Sequence, residues 1–226
     1  MFQDAKNVIV DRYMSERISR LYAGGVDMTQ GKIRYKDITF VIPSLTPDNI
    51  HTIESIPTES PYIVRGDDTR GKARNKGVEQ ATTPYIVFAD SDIGFTTTFL
   101  DYAIELMEDN AIVGLQGYYP SPFLISRFMM FKKSVWEDIG PLYEVQHGEE
   151  TEWCIRAIEN DYKLLGVPRE SVYHHPHPKS IYKKEYNNLF WLLKLHPGFP
   201  FMVLKSVLYK MNNSSYDDIE TLKFKD

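Results

Sequence analysis

Residues 71–92 read GKARNKGVEQATTPYIVFADSD and carry a helix, a buried strand and an acidic turn in succession. Ala73, Gly77, Val78 and Ala81 recur at helical spacing and form a small-residue face suited to close packing on a sheet. Arg70, Lys72 and Arg74 crowd the first turn, where the positive helix end ordinarily favours acids. Cations there suit a docked polyanion, because backbone N–H groups and guanidinium forks both bind phosphate. Thr83-Pro84 closes the helix. Tyr85-Ile86-Val87-Phe88-Ala89 is then apolar throughout, the pattern of a parallel strand covered on both faces.

That strand runs into Asp90-Ser91-Asp92. In open α/β sheets ligands gather at the carboxyl ends of strands. Two acids one residue apart share a side while the chain stays extended, and together they offer hard oxygen ligands to a Mg2+- or Mn2+-type ion. Asp-x-Asp alone is common in loops. After a buried strand and a basic helix, the metal site is the favoured reading.

The pairing of Ala73-Arg74-Asn75-Lys76-Gly77 with Asp90-Ser91-Asp92 resembles the nucleotide-sugar-binding half of GT-A-fold glycosyltransferases, above all family 2. The resemblance implies that Asp90 and Asp92 hold a divalent ion and that Asp90 also contacts the donor. Asp37–Ser44 is a strand and turn similar to the family's first strand, which implies that Pro43 and Ser44 line the nucleoside site. The family's longer helix before the next strand is absent: Pro47 to Pro57 is short, and Tyr62–Arg65 is the following strand. Asp67 or Asp68 then falls near the base or ribose, with Asp68 the donor-binding candidate. Lys72 and Arg74 are candidates for contacts to the diphosphate or sugar.

His147-Gly148-Glu149-Glu150-Thr151-Glu152 opens a second helix with an acidic cluster. An acidic first turn is by itself ordinary helix chemistry. Following the D-S-D turn, it resembles the family's G-E-D motif, whose last acid is the proposed catalytic base. That role falls on Glu150, one methylene longer than the usual aspartate. This helix is expected to run to about Gly166-Val167-Pro168. Beyond it lie His174, His175 and His177, and the resemblance implies one histidine at the metal or diphosphate; His174 fits the strand end best. A zinc site has little support, because Cys154 is the sole cysteine.

The rest of the chain bounds these expectations. A length of 226 residues, 42% apolar and 25% charged, suits one globular domain with appendages. A net charge of −5 gives no support to nucleic-acid binding. One cysteine permits no internal disulfide, and neither a leader nor a membrane span is evident, so a cytoplasmic setting is expected. Further elements are expected at Phe99–Met107 (helix), Ile112–Gln116 and Phe123–Phe131 (strands), and Lys132–Leu142 (helix and glycine turn). Three units are expected: an N-terminal helical arm (1–36), a catalytic domain (37–178) and a helical basic and apolar extension (179–226). Lys179–Lys210 has six lysines against Glu185, with Leu189–Leu193 and Phe199–Leu204 between them. That composition suits either a packed helix with solvated lysines or peripheral contact with the inner face of a membrane.

The expected fold is therefore α/β of the GT-A, Rossmann-like kind: a mostly parallel sheet flanked by helices, with N- and C-terminal helical extensions. The expected function is metal-dependent, inverting transfer of a sugar from a UDP- or GDP-sugar to a glycan, lipid-linked or protein acceptor. Two other classes share parts of the pattern. A nucleotidyltransferase would carry a glycine-rich basic loop after the first strand, unlike Pro43-Ser44-Leu45-Thr46-Pro47. A non-catalytic module would bind nucleotide without turnover.

Overall fold

Three short apolar runs, Ile38–Pro43 (β1), Tyr62–Arg65 (β2) and Tyr85–Ala89 (β3), pair in parallel with β1 in the middle. The structure is a computed structural model describing residues 33–45, 50–117, 123–145, 148–175, 187–201, 203–204 and 220–221. Of the expected N-terminal helical arm (1–36), residues 1–32 lie outside the described residues. Leu124–Lys132 (β6) runs antiparallel to both β3 and Ala111–Gln116 (β5), while Lys163–Val167 (β7) is parallel to β5. Glu220–Thr221 (β9) closes the edge, giving the order β2-β1-β3-β6-β5-β7-β9. Five of these seven strands point one way, and β6 and β9 oppose them.

The strands are apolar throughout because alternate residues enter different cores. Ile38, Phe40, Val87 and Ala89 face one layer; Val41, Ile86 and Phe88 face the other, all at 0% exposure. The first layer is covered by Thr97–Glu105 (α2), through Phe99, Leu100, Tyr102 and Ala103. The second is covered by Arg70–Gln80 (α1), Lys133–Ile139 (α3) and Glu149–Glu159 (α4). Thr69 caps α1, its hydroxyl accepting the Lys72 N–H at 3.2 Å. The small face of α1 has a steric purpose: a Cβ on Gly77 would stand 2.2 Å from Val41 Cγ1, and one on Gly71 would stand 2.0 Å from the Tyr143 carbonyl oxygen.

The helix expected to reach Val167 instead stops at Glu159. Asp161 takes φ 65°, a left-handed turn, and Lys163–Val167 becomes a strand. A five-residue apolar run is ambiguous between buried helix and buried strand, and parallel pairing with β5 settles it.

The described part of the tail packs on the domain. In Asn187–Leu195 (α5) Leu192 is buried in the second layer, and Trp191 meets Tyr143 edge-on at 5.1 Å. Phe199 stacks on Phe123 at 5.8 Å. His196 is buried, with ring nitrogens 3.2 Å from Glu152 and 3.1 Å from Glu159. Phe201 and Leu204 stay exposed at 74% and 53%. No described helix is long and apolar enough to cross a membrane.

Gly71→Ala is expected to cost about 1–3 kcal/mol by overpacking, even though alanine is about 1 kcal/mol the better helix former. The clash is with a backbone carbonyl, so adding Tyr143→Ala should not restore the loss. Urea unfolding of the three proteins checks this; wild-type stability in G71A would contradict the close approach.

Candidate active site

Helix α1 assigns its motif residues distinct tasks. Ala73 lines the pocket described below. Arg74, only 1% exposed, donates Nη1 to Glu149 Oε1 at 2.6 Å and Nη2 to Asp90 Oδ1 at 2.9 Å. Its guanidinium also lies 5.6 Å from the Phe88 ring centre. Asn75 donates to the Leu142 carbonyl at 2.8 Å and accepts the Leu142 N–H at 2.9 Å, pinning the turn after α3. Arg74, the candidate for contact to the diphosphate or sugar, is a buried bridge between the two acidic motifs. The reason is rotational: position 74 falls on the side of α1 that packs towards β3 and α4.

The expectation that Asp90 and Asp92 project side by side from an extended chain does not hold. Strand β3 ends at Ala89 and the chain turns at Ser91-Asp92. Asp90 therefore meets Arg74, while Asp92 Oδ2 stands 3.2 Å from His174 Nε2. The Asp92–His174 contact follows from a short ladder in which Ile93–Gly94 (β4) pairs antiparallel with Tyr173–His174 (β8). Among the described residues, no group of three or more His, Cys, Asp or Glu is arranged to hold a metal ion.

A pocket of about 200 Å³ opens beside this turn, at the carboxyl ends of β1 and β2. Pro43, Ser44 and Leu45 line it from β1, Arg65 and Asp67 from β2, Thr69, Arg70 and Ala73 from the start of α1, and Ser91 from the acidic turn. Pro43 and Ser44, expected at a nucleoside site, are both in this lining. Asp67 rather than Asp68 faces the pocket. Arg65 Nε donates to Asp67 Oδ2 at 3.0 Å and Lys76 Nζ to Oδ1 at 2.6 Å, holding its carboxyl below the usual range. Asp68 has an 86%-exposed side chain and pairs with Lys72 at 3.0 Å. Asp68 and Lys72 therefore satisfy one another outside the lining of the pocket, whose cations are Arg65 and Arg70.

On α4, Glu149 is 1% exposed and Glu150 is half-buried. Burial pushes the Glu149 carboxyl up to about 8, the nearby Glu150 charge adds to the rise, and Arg74 opposes it. Glu152 is bound by Arg156 at 2.6 and 2.7 Å and belongs to the helix scaffold. Cys154 is fully buried, and its thiol is pushed up to about 12 by burial, which leaves it unreactive.

Residues 50–55 were not singled out by the sequence, yet they abut the acidic turn. His51 stacks on His175 with ring centres 3.9 Å apart, and Thr52 bonds the backbone around Asp90 and Ile93. Burial and then His51 lower the His175 pKa. No local pattern marks this segment in the sequence, because Thr52 bonds backbone 38 and 41 residues away.

Comparison with solved structures places this arrangement in a known fold. The catalytic domain of Drosophila β1,4-galactosyltransferase 7, in complex with xylobiose, matches at TM-score 0.52 and 12% identity, over 69% of this chain and 78% of that one. A mannosyltransferase from Pyrobaculum calidifontis, in complex with GDP-Man and Mn2+, matches at TM-score 0.50 and 10% identity, over 93% and 76%. TarS from S. aureus, in complex with UDP-GlcNAc, matches at 0.52 and 12% identity, over 76% and 66%. No curated protein sequence matches the chain. The family profile "Glycosyl transferase family 2" matches residues 46–211, a span from the segment before β2 into the tail that includes both acidic motifs. The chain therefore belongs to glycosyl transferase family 2, and it is a glycosyltransferase built on the GT-A fold.

Proposed function

We propose that the protein transfers a sugar from a nucleoside-diphosphate sugar to an acceptor hydroxyl with inversion at the anomeric carbon. One observation carries this reading: Arg74 joins Asp90 of the D-S-D turn to Glu149 of the G-E-E helix, beside a pocket at the strand ends. The nucleoside is assigned to the pocket bounded by Pro43, Ser44 and Asp67, and the diphosphate to the N-terminus of α1 near Arg70. The first-turn N–H groups give that end partial positive charge, which suits phosphate, although the Thr69 hydroxyl takes up one of them, from Lys72.

A Mg2+- or Mn2+-type ion needs only one or two protein carboxylates when substrate phosphates complete its shell. Asp92 supplies one such carboxylate with the His174 ring nitrogen 3.2 Å from it as a further ligand, and Asp90 stands at the same turn with its side chain 23% exposed. When bound, such an ion offsets negative charge developing on the leaving diphosphate. The mannosyltransferase neighbour was solved with Mn2+ and GDP-Man, which supports the same class of donor here.

The protein's own groups divide the remaining work. Arg74 fixes Asp90 and Glu149 from within. Burial favours the protonated form of Glu149 near neutrality, which limits repulsion against Glu150. Half-buried Glu150 then accepts the acceptor hydroxyl's proton as that oxygen attacks opposite the diphosphate. The acceptor class is a glycan, a lipid-linked sugar or a protein hydroxyl.

Three outcomes test this reading. A thermal-shift screen of UDP-, GDP- and other nucleotide sugars should raise the Tm for one donor class only when Mn2+ is present, and Asp92→Asn should lose that rise. A donor response indifferent to both chelator and D92N would remove the metal role. Glu150→Gln should lower turnover about 10²–10⁴-fold with donor affinity little changed; near-normal turnover, or retained anomeric configuration by proton NMR, would end its assignment as base. Glu149 has a folded pKa of about 8 against 4.5, so its stabilising contribution is full below about 4.5 and is lost as pH rises through about 8. Between pH 5 and 8, wild-type Tm should therefore fall more steeply than that of Glu149→Gln; parallel profiles would contradict the raised pKa.

A further inference from the structure

The short segment between β1 and β2, which departs from the family's longer helix, clamps the acidic turn. His51–Ser55 forms a 3-10 turn, and Thr52 within it is wholly buried. The Thr52 hydroxyl lies 2.5 Å from the Asp90 carbonyl and 3.0 Å from the Ile93 carbonyl, so its single proton serves one of these at a time. The same oxygen accepts the Ile93 N–H at 3.3 Å, and the Thr52 N–H donates to the Ser91 carbonyl at 3.4 Å. Ser55 Oγ accepts the Phe95 N–H at 3.0 Å. From the other side, the His175 N–H donates to the Asp92 carbonyl at 2.7 Å, and the His175 ring stacks on His51.

All three carbonyls of Asp90-Ser91-Asp92 thus have donors from outside the turn, two of them from Thr52. The Asp90 N–H is held as well, donating to the Arg127 carbonyl at 3.0 Å. A turn whose backbone is anchored at every residue keeps little freedom, so its carboxylates need no reordering when a ligand arrives. We infer that Thr52 is a positioning residue for the Asp90–Asp92 turn, setting the affinity of that turn for a divalent ion and its nucleotide without touching either. The inference rests on the metal site proposed above.

The test measures Mn2+ binding in solution by the loss of the free-ion EPR signal, with UDP and GDP as nucleotide probes, alongside Tm. Thr52→Val keeps the shape and removes the hydroxyl. It should weaken nucleotide-supported Mn2+ binding about three- to tenfold, the factor that roughly one hydrogen bond is worth. Thr52→Ser should restore binding to within about twofold of wild type, as expected when the hydroxyl is what matters. Val113→Ala, in β5 two strands away from β3, serves as control: it lowers Tm and should leave Mn2+ affinity unchanged. If T52V does not fold, Ser55→Ala should weaken the same binding by about two- to threefold, as loss of one weaker bond would.

Wild-type Mn2+ affinity in T52V, failure of T52S to restore it, or an equal loss in V113A would overturn the inference and leave the metal site standing. Wild-type protein that binds no Mn2+ with either nucleotide would overturn the metal site, and the positioning role with it.

Discussion

A fully buried guanidinium at position 74 is the constraint on which the rest of this site depends. A charge at 1% exposure is tolerable only with an opposite charge and strong acceptors in direct contact, and Arg74 has the Asp90 carboxylate and, as a second acceptor, the Glu149 carboxyl. Removing one partner of a buried pair typically costs about 3–5 kcal/mol, because the other charge is left stranded. Two acids around one cation leave a surplus negative charge. Burial resolves part of it by favouring the protonated form of Glu149. The link spans 75 residues of chain between Arg74 and Glu149, so α4 and β3 cannot shift independently without opening it.

Around that bridge, α1 acts as a fastener between the two halves of the site. Gly71 lets the chain at Tyr143 lie against the helix, Asn75 grips Leu142 in both directions, and Gly77 brings the helix down onto Val41 of β1. At the acidic turn, Thr52 and His175 hold the chain by its backbone. On the opposite side of Arg74, α4 is braced at Glu152 by Arg156 and His196, the latter from the tail. The tail therefore contributes to the scaffold of the helix that carries Glu150.

The fold was legible in the sequence wherever one local signal was unambiguous. The buried run Tyr85–Ala89, the small face of α1 and the order of the two acidic motifs sufficed for the architecture. The site was legible by position but not by contact. Asp90 and Asp92 were placed at a strand end, yet the turn at Ser91 that separates their partners has no distinct sequence mark. Lys72 and Asp68 drew attention as charges near the helix start; being four residues apart on one surface, they pair with each other. Asp67, one residue earlier, faces inward, and a loop gives no periodicity from which to choose between them. Arg74 reads as a ligand for phosphate because arginine commonly is one. Only the packing of α1 against β3 and α4 turns it into a structural bridge. Thr52 escaped notice because a threonine that bonds backbone across 38 residues has no local signature.

The most direct test of the bridge is a double-mutant cycle on Asp90 and Glu149, read by urea unfolding without added metal, in wild-type and Arg74→Met backgrounds. Residues joined by a shared partner show coupling of about 0.5–3 kcal/mol, whereas independent sites add. The expected result is that Asp90→Asn and Glu149→Gln couple by at least about 1 kcal/mol with Arg74 present and become additive in R74M. Additivity with Arg74 in place, or the same coupling after its removal, would contradict the claim that one buried guanidinium holds the two halves of the site together.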